Sequence, residues 1–251
     1  MIRVVASLAI MAASLEGLVG CGGGGEGSDQ VVVSAASSLD TAFREYVDAA
    51  GIDAKMSFAG SDELAAQIRQ GVRPDVYAAA SVTLPDQLHK EGLVSNPTVI
   101  ATNTLVVAVP KDSQIDSLDE LTQPGTTIAM GDPAVPVGIY TREVLGRLPA
   151  EQRTAILDNV RSEEPDVSGI AGKLTQGAVD AGFVYVTDVT ASDGELKGIQ
   201  LPADLQPDVS YGAAVVSGGK NPEGARAFID GLLRGDGAEA LRKAGFTPPP
   251  G

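Results

Sequence analysis

The sequence predicts an α/β protein of two lobes. Short β-branched or alanine-rich runs alternate with amphipathic helical patterns, the order from which sheets flanked by helices are built. A second block of this alternation starts near Thr104, and a late apolar run, Tyr211 to Val216, reads as a strand returning to the first block. Two crossovers follow, near residues 100 to 105 and 208 to 212. One lobe is expected from 31–103 with 211–251 and the other from 104–210, each a mixed, mainly parallel sheet with helices on its faces.

Ahead of the first strand, Met1 to Leu15 carries one early cation, Arg3, and then an apolar stretch too short to span a membrane. It ends at Leu18-Val19-Gly20-Cys21, small residues before a cut with cysteine just after it, so 1–20 looks like a bacterial lipoprotein signal peptide. Cys21 is the only cysteine, which rules out an intrachain disulfide. Lipid attachment at Cys21 accounts for an unpaired thiol in an exported protein, and 21–30 reads as a flexible tether. The expected location is extracytoplasmic, anchored to the cell membrane. Gly22, Gly24 and Gly27 have the dinucleotide-binding spacing, but no strand precedes them and no helix follows.

Within the first block, Val31 to Ala35 is a strand. Ser37, Ser38, Leu39 and Asp40 open a helix with serine at its cap, with Leu39, Ala42, Phe43, Tyr46 and Val47 on one face and Gly51 as its stop. Lys55 to Ala59 is a second strand. Gly60 and Ser61 lead into a helix over Glu63 to Gln70 with Leu64, Ala65 and Ile68 inward. Asp75 to Ala80 is a third strand, and Ser81 opens a helix towards Gly92.

In the second block, Leu105 to Val109 is a strand, Ser117 to Leu121 a short helix, and Thr127 to Met130 a strand. Gly131-Asp132-Pro133-Ala134-Val135-Pro136-Val137-Gly138 is a proline-braced loop before a helix over Ile139 to Leu148. Asp166-Val167-Ser168 precedes a helix near Ile170 to Gln176. Ala181 to Tyr185 is a buried strand with a phenol at its end. Helices over Asn221 to Arg234 and Ala238 to Ala244 close the chain.

Charge narrows the function. The chain has 18 Lys and Arg against 33 Asp and Glu, a net charge of −15. Such acidity argues against nucleic acid and against adsorption on anionic lipid. Aromatics make up 4% of residues and tryptophan is absent, so stacking on sugars or bases is a poor basis for binding. His89 is the only histidine, sits in a polar Leu-His-Lys-Glu stretch, and reads as solvated. No Gly-x-Ser-x-Gly elbow occurs, and Ser217-Gly218-Gly219-Lys220 lacks the companion motifs of a Ser-x-x-Lys enzyme. No Walker loop, His/Cys ligand spacing or EF-hand loop is present. The reading is therefore not an enzyme, with no cofactor and no protein ligands for a metal.

What remains is a set of strand-to-helix junctions. In open α/β sheets ligands sit beyond the carboxyl ends of strands, where helix N-termini offer unpaired N–H groups and the positive end of a dipole. Ser38, Ser61, the Val137-Gly138 loop end and Val167-Ser168 are four such junctions. Each offers neutral donors, and none carries a lysine or arginine. Taken singly, either serine is an ordinary helix cap and Tyr185 a core phenol. Together they suit a small tetrahedral oxyanion.

Val33-Ser34-Ala35-Ala36-Ser37-Ser38-Leu39, Phe58-Ala59-Gly60-Ser61, Gly131-Asp132-Pro133 through Pro136-Val137-Gly138-Ile139-Tyr140, and Gly182-Phe183-Val184-Tyr185 occur in that order. The chain from about Val31 to Phe246 thereby resembles the molybdate-binding proteins of bacterial ABC importers. The resemblance implies a two-lobed periplasmic-binding-protein type II fold that closes on its ligand. It implies that Ser38 and Ser61 give hydroxyls and their own N–H groups, Val137 and Val167 give backbone N–H groups, and Tyr185 gives its phenol. Molybdenum enters only as the centre of the oxyanion, tungstate is a second ligand, and the partner is a membrane permease. A monomer is expected. Asp62 departs from the family, which often has a hydroxyl residue there, and is expected to point to solvent from the first helical turn. The alternatives are a sulfate or other oxyanion receptor of the same fold, an anchored adhesion protein with no cleft, and a lipid-anchored serine hydrolase that needs His89 beside a serine.

Overall fold

The computed structural model describes residues 30–249. The signal peptide assigned to 1–20, the lipidation site Cys21 and its tether as far as residue 29 lie outside the described residues.

In chain order the strands are β1 (Val31–Ala36), β2 (Ala54–Ala59), β3 (Val76–Ala79), β4 (Thr98–Asn103), β5 (Leu105–Pro110), β6 (Ile128–Gly131), β7 (Val160–Glu164), β8 (Ala181–Tyr185), β9 (Leu196–Gln200) and β10 (Val209–Val215). The α-helices are α1 (Asp40–Ala50), α2 (Ser61–Arg69), α3 (Thr83–Lys90), α4 (Pro136–Arg147), α5 (Ala150–Asp158), α6 (Val167–Thr175), α7 (Val186–Ala191), α8 (Pro222–Leu233) and α9 (Asp236–Lys243). The strands form two five-stranded sheets, β2-β1-β3-β10-β4 and β7-β6-β8-β5-β9. Each is the centre of one lobe.

Both sheets are mixed, and the two halves of each differ. β1 pairs parallel with β2 and β3, while β10 runs antiparallel to β3 and β4. Likewise β6 is parallel to β7 and β8, while β5 is antiparallel to β8 and β9. The parallel half is what positions the site. It gathers the carboxyl ends of β1, β2 and β3 along one edge of the first sheet, and those of β6, β7 and β8 along one edge of the second.

Only Thr104 separates β4 of the first sheet from β5 of the second. The second crossover occupies 201–208, earlier than the expected 208–212, because β10 begins at Val209. The segment 117–121, expected as a short helix, is a 3-10 turn over Asp119–Thr122.

Burial explains why these segments fold as they do. Leu105 to Val109 are fully buried, as an apolar run inside a sheet requires. Helix α1 turns Ala42, Phe43 and Tyr46 inward and stops at Gly51, whose left-handed φ of 63° a glycine adopts without a steric penalty. Phe43 and Tyr46 meet Phe228 of α8 with ring centroids 5.4 and 5.0 Å apart. Each buried ring of this kind contributes about 1.5–3 kcal/mol by leaving water.

Candidate ligand-binding site

The expected site residues come together. Ser38, Ser61, Val137, Val167 and Tyr185 all line one cavity, with Ala36, Ser37, Ala59, Gly60, Ala80 and a few neighbours completing its wall. The cavity measures about 20 Å³, on a scale where one water needs about 10–15 Å³. Among the described residues that line it there is no lysine, arginine or histidine.

Neither serine is a helix cap. Ser38 lies in a 3-10 turn, Ser37–Leu39, ahead of α1, and Asp40 is engaged by Arg44. The N-cap of α1 is Leu39 and that of α2 is Gly60, and neither helix has a side-chain cap bond. The Ser38 hydroxyl instead lies 2.8 Å from the Tyr211 hydroxyl. Ser61 is the first residue of α2, is 2% exposed, and its Oγ accepts the Ala80 N–H at 3.1 Å. Both hydroxyls are therefore held by protein groups, Ser38 by a tyrosine behind the cavity and Ser61 by the backbone of Ala80 in its wall.

Val137 and Val167 stand in the first turns of α4 and α6, where helical geometry leaves N–H groups without an intrahelical acceptor. Pro136 at the start of α4 has no N–H, so Val137 supplies the first amide of that helix. Gly138 lets α4 sit directly on the preceding loop: a Cβ there would lie 1.9 Å from the Asp132 carbonyl oxygen. At α6, Asp166 is the N-cap and accepts from the Gly169 N–H at 3.0 Å. One oxygen of the acid on the cavity wall is thus committed to its own helix.

Tyr185 ends β8 and is buried, yet its hydroxyl has no hydrogen-bond partner among the described residues. Its ring packs edge-on against Tyr211, centroids 5.9 Å apart. Burial pushes the acidity constants of both phenols well above the ordinary value, so both remain neutral. Leaving such a hydroxyl unpaired costs about 1–3 kcal/mol.

Several neighbours escaped the sequence reading. Asn103, at the end of β4, donates from Nδ2 to Thr187 Oγ1 at 2.9 Å and to the Tyr211 hydroxyl at 3.3 Å. Asp188 accepts the Tyr185 N–H at 2.8 Å, and burial raises its carboxyl to about 7. A buried aromatic opening the returning strand was the one available signal for Tyr211. Asn103 and Asp188 had none, since their partners lie across the fold.

Two outliers are now placed. Asp62 does not simply face solvent as expected: the residue is half-buried, and its Oδ1 is shut from water with no hydrogen-bond partner among the described residues. It does not line the cavity, because the carboxylate turns back over the start of α2 towards Gly60. His89 is exposed on α3, and its Nδ1 lies 3.1 Å from the Val94 carbonyl oxygen rather than near a serine.

Residues 31–247 match the family described as bacterial extracellular solute-binding protein. The molybdate-binding protein ModA of Mycobacterium tuberculosis is 33% identical over 257 residues, covering 96% of this chain and 96% of that protein. The periplasmic molybdate-binding protein of Azotobacter vinelandii superposes with a TM-score of 0.78 at 18% identity, over 88% of this chain and 100% of that one. The sulfate-binding protein SubI from Mycobacterium tuberculosis gives 0.76 at 15% identity, over 87% and 86%. The two structural likenesses establish the two-lobed architecture, and the family match extends over both lobes. The chain belongs to the bacterial extracellular solute-binding proteins.

Proposed function

We propose that the protein is the receptor of an ABC importer, capturing molybdate, and tungstate as a second ligand, between its lobes and delivering it to a membrane permease. The ligand accepts hydrogen bonds from the hydroxyls and N–H groups of Ser38 and Ser61, the N–H groups of Val137 and Val167, and the Tyr185 phenol. No resident cofactor and no catalytic step enter this reading. Molybdenum is present only at the centre of the oxyanion, with no protein atom bonded to it. The protein acts as a monomer, held at the outer face of the cell membrane by lipid on Cys21.

The observation that carries the reading is the buried Tyr185 hydroxyl, without a partner among the described residues, on a wall of small apolar residues whose other polar groups are serine hydroxyls, helix N-termini and the Asp166 carboxylate that caps α6. A dianion satisfies these donors together. Hydrogen bonds to a charged group contribute about 1.5–3 kcal/mol each, so about seven together exceed the roughly 8 kcal/mol of micromolar binding. Donors alone also favour a fully deprotonated anion over hydrogen phosphate, whose proton needs an acceptor. The 33% identity to the ModA of Mycobacterium tuberculosis supports molybdate in particular.

A sulfate receptor is the second reading, favoured by the structural likeness to the sulfate-binding protein SubI. Calorimetric titration of the mature protein with molybdate, tungstate, sulfate and phosphate separates the two. Molybdate and tungstate binding well ahead of sulfate supports the first reading. Sulfate binding as tightly as molybdate favours the second, and silence with all four removes both.

A further inference from the structure

The hydroxyl pair between Ser38 and Tyr211 has a direction that the surrounding bonds determine. The Thr104 N–H donates to Asn103 Oδ1 at 2.9 Å, which fixes the orientation of the Asn103 amide. Asn103 Nδ2, which can only donate, then serves Thr187 Oγ1 and the Tyr211 oxygen. Tyr211 is fully buried, and having accepted from Asn103 it has, among the described residues, one acceptor for its own proton, Ser38 Oγ. With a lone pair so occupied, the Ser38 proton is left for the cavity that Ser38 lines. The reverse arrangement would strand the Tyr211 proton in a buried site.

Ser61 reaches the same state by another route. Its Oγ accepts the Ala80 N–H, so its proton too is left for the cavity. The backbone sets the direction at Ser61, whereas side chains set it at Ser38.

We infer that Asn103 and Tyr211 form a donor relay that fixes Ser38 as a hydrogen-bond donor to the ligand, and so are positioning residues for selectivity against protonated oxyanions. This rests on the oxyanion-receptor reading above. The relay's members lie beside the crossovers: Asn103 precedes Thr104 between the sheets, Tyr211 is on the returning strand, and Thr187 belongs to the second lobe. Removing the relay lets the Ser38 hydroxyl rotate, so that it can turn a lone pair instead of its proton toward hydrogen phosphate.

The test measures affinities for sodium molybdate directly and for inorganic phosphate by competition against molybdate, at pH 8, in wild type, Tyr211→Phe, Asn103→Leu and Thr187→Val. Thermal unfolding checks that each variant is folded. The relay predicts that Tyr211→Phe narrows the molybdate-to-phosphate affinity ratio by tenfold or more, and that Asn103→Leu, which keeps the Tyr211 bond to Ser38 but loses the donor that orients it, narrows it by a smaller factor. Thr187→Val, which leaves the bond from Asn103 to Tyr211 in place, should keep the wild-type ratio. A wild-type ratio in folded Tyr211→Phe overturns the relay while leaving the receptor reading intact. Equal narrowing in Thr187→Val assigns the effect to loosened packing and also overturns it. Wild-type protein that binds neither anion overturns the receptor reading and the relay together.

Discussion

Gly60, at the start of α2 in the first lobe, lies against the Pro165 carbonyl of the second: a Cβ on Gly60 would stand 2.6 Å from that oxygen. The lobes therefore meet here with room for a hydrogen and nothing larger. Gly60 has φ −58° and ψ 136°, ordinary values for any residue, so the need for glycine arises from its neighbours, chiefly the facing carbonyl and secondarily Asp62 Oδ1 at 3.0 Å from the same Cβ.

Gly60→Ala should accordingly force the lobes apart at this contact while leaving the core of each lobe intact. Molybdate affinity should fall at least tenfold, because the cleft cannot close to the same distance. Titration calorimetry and thermal unfolding read the two effects separately, and a variant that binds normally removes the closure argument.

The serines should separate in stability. Ser38→Ala and Ser61→Ala are each predicted to weaken molybdate binding by about 1–3 kcal/mol, the worth of a hydrogen bond to a charged group. Ser61→Ala also strands the Ala80 N–H in a buried place and should lower the unfolding free energy by about 1 kcal/mol or more without ligand. Chemical denaturation of both variants checks this, and a fully stable Ser61→Ala contradicts the assigned bond.

Asp188 gives the fold a pH dependence. Burial raises its carboxyl from 3.8 to about 7, so between those values the folded protein holds a proton that the unfolded chain has released. This group's contribution is greatest near pH 4, declines as pH rises to about 7, and is level above that. Asp188→Asn keeps an acceptor for the Tyr185 N–H and should be more stable than wild type at pH 8, with the gap closing towards pH 4. Melting temperatures at several pH values measure it, and a gap of constant size would falsify the assignment.

Long-range charge opposes the ligand. A net charge of −15 repels a dianion until it reaches the neutral donors, and salt screens that repulsion. The association rate should rise several-fold between low and physiological ionic strength, the reverse of a site built on lysine or arginine. Tyrosine fluorescence in a stopped-flow instrument follows it, since the chain has no tryptophan. A rate that falls with salt indicates a cationic entry route.

Much of this was legible in the sequence because local chemistry and tertiary role coincide. Val31–Ala36, Leu105–Pro110 and Ala181–Tyr185 are apolar runs that are also the buried strands of the two sheets. The junctions at Ser61 and Val137 begin helices at the carboxyl edges of strands, where the pattern of apolar run, small residue and helix put them, whereas at Val167 only the helix was legible and not the strand before it. Where local chemistry pointed elsewhere, the reading stopped. Val160–Glu164 is a strand carrying an arginine and two glutamates, tolerated because β7 is at an edge of its sheet and half its residues face outward. The Ser37-Ser38-Leu39-Asp40 run reads as a cap because Asp40 stands three residues past Ser37, but the hydroxyl of Ser38 is claimed by a tyrosine 173 residues away. Asn103 likewise acquires its role from Thr187 and Tyr211, distant partners that no local spacing encodes.

The most direct measurement is anomalous X-ray scattering at the molybdenum edge from crystals grown with molybdate. The account predicts one peak per chain in the cavity, with oxygens of the anion within hydrogen-bonding distance of the Ser38, Ser61 and Tyr185 hydroxyls and the Val137 and Val167 N–H groups. A peak elsewhere on the protein, or a cavity left without one at saturating molybdate, contradicts it.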